Sequence, residues 1–277
     1  MDRKEMTEKI KALYESCQGN LLTGTEVTGV KLFDVPLMGI GSAEDRLFSQ
    51  FKDPAIIGPW FMTPSEWLKN GKTVISLFFP FTEEVKASNR ALKDTPSMLW
   101  LYGRIEGQAY LAEYGRQLEK WFAEQGMDVC VPAIDARFQE ISAGNAFSDY
   151  TCMDKDTFGS NWSERHAAYV CGLGTFGLSK GLITERGMAG RLLSVIISEE
   201  LEADQRVYTG IYDYCTQCGA CIRRCPVNAI SFEKGKDHAV CSTWLKKTGQ
   251  MYAPRFGCGL CQTGVPCESR NPSQRAE

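Results

Sequence analysis

Four cysteines within one short run constrain this chain more than anything else in it: Cys215-Thr-Gln-Cys218-Gly-Ala-Cys221-Ile-Arg-Arg-Cys225-Pro226. A C-x₂-C-x₂-C-x₃-C-P run is the bacterial spacing for [4Fe–4S] ligation, and its fourth cysteine normally serves a second cluster. A cubane needs four thiolates converging from different directions, and the tight C-x₂-C-x₂-C loop supplies three. The second cluster needs three more thiolates beside Cys225, and Cys241, Cys258, Cys261 and Cys267 follow. These eight cysteines suffice for two clusters. The implied chemistry is the movement of low-potential electrons, one at a time.

The crossing of ligands seen in two-cluster ferredoxins sets Cys215, Cys218 and Cys221 with a distal partner, Cys267 foremost. It sets Cys225 with Cys241, Cys258 and Cys261. Spacing leaves the exchange of Cys241 and Cys267 open, because five residues separate Cys261 from Cys267 where ferredoxins have two. Repeated C-x₂-C pairs also build Cys₄ zinc sites, but a four-cysteine run ending in proline is far more specific for iron–sulfur. Twelve cysteines would suit disulfides in a small secreted domain, a class that a chain of 277 residues without a signal sequence does not fit. Cys17, Cys130, Cys152 and Cys171 stand among apolar neighbours and read as buried thiols.

A net charge of −3 provides no global attraction to nucleic acid or to an anionic membrane. The longest strongly apolar run, Val74 to Phe81, is far too short to span a bilayer. The first residues, Met1-Asp-Arg-Lys-Glu-Met, contain neither an apolar h-region nor a twin-arginine signal. The expectation is a cytoplasmic protein in an anaerobic or well-reduced cell.

Met6, Ile10, Leu13, Tyr14 and Cys17 recur at helical spacing, which predicts an amphipathic helix over Glu5–Cys17. Thr73–Phe79 reads as a buried strand closed by Pro80, Asp128–Ile134 as a second strand and Arg191–Ile197 as a third. Arg104–Gln125 carries the clearest helical stripe, ended by Gly126, and Ser163–Cys171 reads as a helix opened by Asn161 or Ser163. Strands alternating with helices predict an α/β or α+β core over residues 1–204, followed by a cysteine- and glycine-rich unit over 205–277.

Gly172-Leu-Gly174-Thr-Phe-Gly177 matches G-x-G-x-x-G in letters, but a dinucleotide fingerprint follows a strand, and these glycines follow a helix. No phosphate-binding G-x-x-x-x-G-K-[ST] loop occurs. The longer block is distinctive: Ser163-Glu-Arg-His-Ala-Ala-Tyr-Val-Cys-Gly-Leu-Gly-Thr-Phe-Gly-Leu-Ser-Lys-Gly-Leu-Ile-Thr184. It resembles the E-R-x-x-A-x-x-A-G-L-G-x-x-G-K-x-x-L-L-I block of epoxyqueuosine reductases and the related part of reductive dehalogenases. Pro64-Ser-Glu-Trp-Leu-Lys-Asn-Gly-Lys-Thr-Val-Ile75, Cys241-Ser-Thr-Trp-Leu and Cys258-Gly-Leu-Cys261-Gln match further stretches in order, so the resemblance runs from about residue 60 to 267.

The resemblance implies an α+β fold: a nitroreductase-like cobalamin-binding core followed by a ferredoxin-like domain with two [4Fe–4S] clusters. It implies that Gly172, Gly174, Gly177, Ser179 and Lys180 form a loop against the corrin, where missing Cβ atoms let backbone approach a planar ligand. The plainer reading of the same glycines is a helix cap and a tight turn. Only His166 and His238 exist, neither in a D-x-H-x-x-G motif, so a corrinoid would bind base-off without a histidine ligand.

The chain departs from the family in two places. Where epoxyqueuosine reductases have an aspartate before the E-R pair, this chain has Phe158; Asp156, Asp154 and Tyr150 stand nearby as candidate proton donors. It also ends soon after Cys267, without the helical repeats that many epoxyqueuosine reductases carry, which weakens a tRNA substrate. A basic patch of Arg223, Arg224, Lys234, Lys236, Lys246 and Lys247 would serve RNA or a docked redox partner. The expected function is a cobalamin-dependent reductase, fed by ferredoxin or flavodoxin, that removes oxygen or halide from a small molecule or modified nucleoside. Two other readings remain from sequence: an electron-transfer partner of a corrinoid protein, and the same fold holding a flavin.

Overall fold

The computed structural model describes residues 2–24, 26–142 and 158–274. Its helices, in chain order, are α1 (Arg3–Ser16), α2 (Arg46–Gln50), α3 (Pro64–Trp67), α4 (Glu83–Arg90), α5 (Met98–Glu124), α6 (Glu164–Val170), α7 (Ala220–Arg223) and α8 (His238–Met251). The strands begin with β1 (Leu37–Ser42), β2 (Thr73–Pro80), β3 (Val129–Cys130), β4 (Glu140–Ser142) and β5 (Phe158–Ser160). They continue with β6 (Gly174–Phe176), β7 (Leu182–Thr184), β8 (Gly190–Ile197), β9 (Ile230–Ser231) and β10 (Gly235–Lys236).

The central sheet runs β1–β2–β8–β3, and each neighbouring pair is antiparallel. This is an α+β arrangement. Every residue of β2 is buried, Thr73 and Ser76 included, which explains why a strongly apolar run extends from Val74 to Phe81. Side chains alternate across a strand, so Ile75, Leu77 and Phe79 join one core with Met6, Ile10 and Tyr14 of α1 and with Tyr110, Tyr114 and Leu118 of α5. Val74 and Phe78 face the other side, toward α6 and the β6–β7 hairpin.

α1 begins two residues before the predicted start because the Asp2 carboxylate accepts a bond from Glu5 N–H at 2.8 Å. α5 begins six residues before the predicted Arg104, capped by the Ser97 hydroxyl, which accepts from Trp100 N–H at 3.1 Å. Two glycines hid that turn. A Cβ at Gly103 would lie 2.5 Å from the Phe81 ring, and one at Gly107 2.8 Å from Phe33. The helix must approach the sheet closely there, and residues that lower helix propensity permit it. The strand predicted over Asp128–Ile134 shrinks to Val129–Cys130. Pro132 has no N–H for a ladder and opens a 3₁₀ turn over Pro132–Ile134 instead.

The cysteine-rich segment is bonded to the core along its length. Phe176 N–H donates to Ile211 at 2.7 Å, Tyr214 N–H to the Thr175 hydroxyl at 2.8 Å and Met188 N–H to Cys267 at 2.9 Å. Glu268 is buried and accepts from Arg90, while Asn89 donates to Thr263 Oγ1 at 3.0 Å. At the expected boundary, Asp204 pairs with Arg3 and accepts from Ile40 N–H at 2.9 Å, which ties the segment to β1. Among the described residues no helix is long and apolar enough to cross a membrane.

Candidate active site and metal centre

The eight cluster-type cysteines fall into two sets of four. Cys215, Cys218, Cys221 and Cys267 line one pocket, and Cys225, Cys241, Cys258 and Cys261 line another. Local geometry explains each approach. Gln217 and Gly219 adopt left-handed φ values of +50° and +68°, which coil the first loop before α7 presents Cys221. Gly259, between Cys258 and Cys261, has φ +67°, and a Cβ there would lie 1.9 Å from the Trp100 ring. Cys241 rides on α8, which is capped by the Asp237 carboxylate accepting from Val240 N–H at 3.0 Å. Cys267 reaches the first pocket because its carbonyl is held by Met188 on the core.

The first pocket is narrow, about 20 Å³, and the second holds about 150 Å³. Among the described residues, no three His, Cys, Asp or Glu side chains stand close enough together to hold a single metal ion. Burial, then repulsion from neighbouring thiols, pushes Cys221 up to about 11 and Cys267 up to about 12. Cys258 is also raised to about 11, by burial first. These thiols therefore ionise near neutral pH only when a positively charged centre joins them, which is what an iron–sulfur core supplies.

Beside both pockets lies a cavity of about 670 Å³, within the range of ligand sites. Helix α5 contributes Arg104, Ile105, Gln108, Ala109 and Ala112, one stripe whose alanines leave the space open. The start of α6, the stretch Gly181–Leu182 and the start of β8 form the other walls. Arg104, Arg165, Gly190, Arg191 and Gln262 border both this cavity and the second cysteine pocket. Met188 borders the first pocket and the cavity alike.

The N-terminus of α6 is held rigidly. Trp162 is stacked between Phe48 and Phe61, at centroid distances of 5.9 and 5.7 Å, and donates to Ser194 Oγ at 2.9 Å. The Ser163 hydroxyl contacts His166 Nδ1 at 2.7 Å and makes no capping bond. His166 packs against Phe51 and Phe176, and burial with nearby Arg165 lowers it to about 4, a packed structural histidine. Glu164, the first residue of α6 and of the E-R pair in the sequence block, lines the cavity. Both its carboxylate oxygens are shielded from solvent and make no hydrogen bond of good geometry. Burial raises it to about 7, with Ser194 and Trp162 near enough to offset part of that rise.

Gly172, Gly174, Gly177, Ser179 and Lys180, which the resemblance sets against a corrin, are placed by the structure as follows. None of the five borders the large cavity, although the next residues, Gly181 and Leu182, do. Gly172, at φ +80°, follows the end of α6. Gly177 and Ser179 line the first cysteine pocket. Gly174 sits in the β6–β7 hairpin, where a Cβ would lie 1.9 Å from the Ile183 carbonyl oxygen. Gly174→Ala should therefore lower stability by about 3 kcal/mol or more. Thermal unfolding followed by circular dichroism checks this; an unchanged midpoint rules out that close approach.

Tyr150, Asp154 and Asp156 lie outside the described residues. Arg224, placed by sequence in a basic patch, donates instead to the carbonyls of Thr263 at 2.9 Å and Leu92 at 2.8 Å. It is a structural brace and leaves that patch depleted. Cys17, Cys130 and Cys171 are buried, as their apolar neighbours predict.

With the geometry described, the chain compares as follows. A family model for a 4Fe–4S binding domain matches residues 208–231. Compared by sequence with curated proteins, the chain has no match. Among solved structures, an epoxyqueuosine reductase superposes with a TM-score of 0.52 at 17% identity, over 96% of this chain and 66% of that one. The catabolic reductive dehalogenase NpRdhA superposes with a TM-score of 0.50 at 15% identity, over 85% of this chain and 30% of its own. The same dehalogenase in complex with 3-bromo-4-hydroxybenzoic acid gives 0.50 at 14% identity, over 97% and 36%. The chain spans at most about two thirds of these proteins' lengths. It has the fold these reductases share, joined to a 4Fe–4S binding domain, in line with the resemblance carried by its sequence blocks.

Proposed function

We propose that this chain is an iron–sulfur reductase in which two [4Fe–4S] clusters, held by the two cysteine sets, serve a base-off corrinoid in the large cavity. The reaction would remove oxygen or halide from a small molecule or modified nucleoside, with electrons from a ferredoxin or flavodoxin. One observation carries this reading: the cavity and the second cysteine pocket share a wall of five residues, so a cluster held in that pocket would stand beside a ligand in the cavity.

The residues suit the cofactor. Ala109, Ala112, Gly181 and Gly190 keep the walls low enough for a broad planar group, and Phe78, Leu182, Met188 and Leu192 make them apolar. When bound, the corrinoid supplies a strongly reducing, nucleophilic centre, and the clusters supply single electrons. The chain's own contribution is dryness, position and a proton. Glu164, raised to about 7, retains its proton at the cavity wall near neutral pH and is the proposed donor.

Anaerobic expression with cobalamin supplied, followed by iron, sulfide and cobalt analysis, tests the proposal. The expected result is about eight irons and about one cobalt per chain. The same iron without cobalt after reconstitution would overturn the corrinoid part and leave an electron-transfer protein. A yellow chromophore released on denaturation would assign the cavity to a flavin.

A further inference from the structure

Three guanidinium groups meet on the wall between the large cavity and the second cysteine pocket: Arg104 of α5, Arg165 of α6 and Arg191 of β8. They come from three elements distant in sequence, so no helical periodicity puts them together. Among the described residues none has a carboxylate in an ion pair. Arg104 lies over the Phe256 ring at 4.4 Å, and its Nε is buried without a hydrogen-bond partner. Arg191 donates to the neutral side-chain oxygen of Gln108. Arg165, an exposed residue, borders the cavity and makes neither a hydrogen bond nor an ion pair among the described residues.

The electrostatics fit a site short of negative charge. Desolvation lowers Arg104 and Arg191, the latter to about 9, and repulsion from the neighbouring guanidinium groups adds to it, while Arg165 is exposed. Two carboxylates face the same cavity. Glu140 attracts Arg104 without pairing with it, and the Glu164 oxygens bond to none of the three. The three guanidinium groups outnumber the two carboxylates that face the cavity, an arrangement that a ligand with several anionic oxygens would complete. A guanidinium is a planar fork of donors matched to anions with several oxygens, and three forks exceed what one carboxylate neutralises.

A plainer role is to balance the charge of a cluster in the second pocket, because Cys241 acts on Arg104 and Cys261 on Arg165. Arg191 has no cysteine acting on it, and its partner Gln108 borders only the large cavity. That asymmetry turns the cluster toward the cavity.

We propose that Arg104, Arg165 and Arg191 form a phosphate-binding site within the large cavity, so that this site takes a phosphate-bearing ligand. The inference rests on reading this cavity as the ligand site. The phosphate belongs either to the substrate or to the nucleotide tail of a corrinoid.

The test uses the anaerobically prepared, cluster-loaded chain and isothermal titration with 1-naphthyl phosphate and, separately, uncharged 1-naphthol. The expected result is binding at least about ten-fold tighter for the phosphate ester, a preference lost in Arg165→Gln and in Arg191→Gln. Cobalamin and cobinamide, which lacks the nucleotide phosphate, form the second arm. Weakening of cobalamin alone by Arg165→Gln assigns the phosphate to the cofactor, and weakening of the naphthyl ester alone assigns it to the substrate. Equal binding of ester and alcohol in the first arm, with cobalamin binding unchanged by either variant, overturns the proposal. A shift of a cluster potential in those variants would then give the arginines to the cluster. Iron content is measured on every sample. If Arg165→Gln loses iron, Arg191→Gln decides, because no cysteine acts on Arg191. The naphthyl arm needs no cobalt, so failure of the corrinoid reading and failure of the phosphate site remain distinguishable.

Discussion

Alanine at both Cys225 and Cys241 should leave a chain that still binds about four irons, whereas alanine at both Cys225 and Cys267 should leave almost none. In the first variant both losses strike the same set of four thiols, and the set of Cys215, Cys218, Cys221 and Cys267 stays complete. In the second variant each set loses a member. An uncrossed arrangement, with Cys215, Cys218, Cys221 and Cys225 around one cluster, predicts the loss of both clusters in the first variant as well. Iron and sulfide analysis on anaerobic protein, with electron paramagnetic resonance after reduction, separates the two outcomes. Secondary structure by circular dichroism guards against general unfolding, since the Cys267 carbonyl also holds Met188 on the core.

Glu164→Gln should alter the pH dependence of stability and suppress turnover. The sign follows from linkage. A carboxyl raised from 4.5 in the unfolded chain to about 7 in the folded protein binds more protons when folded. The stability contributed by Glu164 is therefore fullest below about pH 4.5, falls as pH rises toward 7 and levels off above it. Removing the charge with glutamine should make the variant more stable than the parent at pH 8, by up to about 3 kcal/mol. The two should converge at pH 4.5. Chemical denaturation at several pH values measures this without a substrate. If the parent shows no such fall relative to the variant, Glu164 does not hold a proton near neutrality. With a substrate in hand, the same variant should lose about 10² to 10⁴ in turnover if the carboxyl is the proton donor.

The elements most readable in sequence were those with one dominant local cause. β2 appears as a strongly apolar run because both faces of the strand are covered. The C-terminal half of α5 appears as a stripe because its buried residues fall on one face. Its first turn was hidden, because the glycines that let it lie against Phe81 and Phe33 are chosen for proximity at the expense of helix propensity. The Asp128–Ile134 strand was over-read, since apolar β-formers surround a proline that cannot join the ladder.

The site divides in the same way. A C-x₂-C-x₂-C loop brings three thiols together through its own backbone, so the capacity to ligate iron was written in Cys215, Cys218, Cys221 and their neighbours. The glycine block was distinctive in sequence, but its glycines lie in different places: Gly172 at a helix end, Gly174 in a hairpin, Gly177 at a cysteine pocket and Gly181 at the large cavity. Glu164 and Arg165 stand in the sequence as the E-R pair of that block, with nothing local to show what they face. Only the packing of α6 against the sheet gives Glu164 its shielded carboxyl.

By itself, the sequence determined the cluster-type cysteines, the buried strand and the long helix, because each depends on residues a few positions apart. The tertiary structure alone shows which cysteines line a common pocket, where the cavity opens and that Arg104, Arg165 and Arg191 share its wall. Those properties depend on which elements meet and how much protein surrounds a charge, and local spacing carries no record of either.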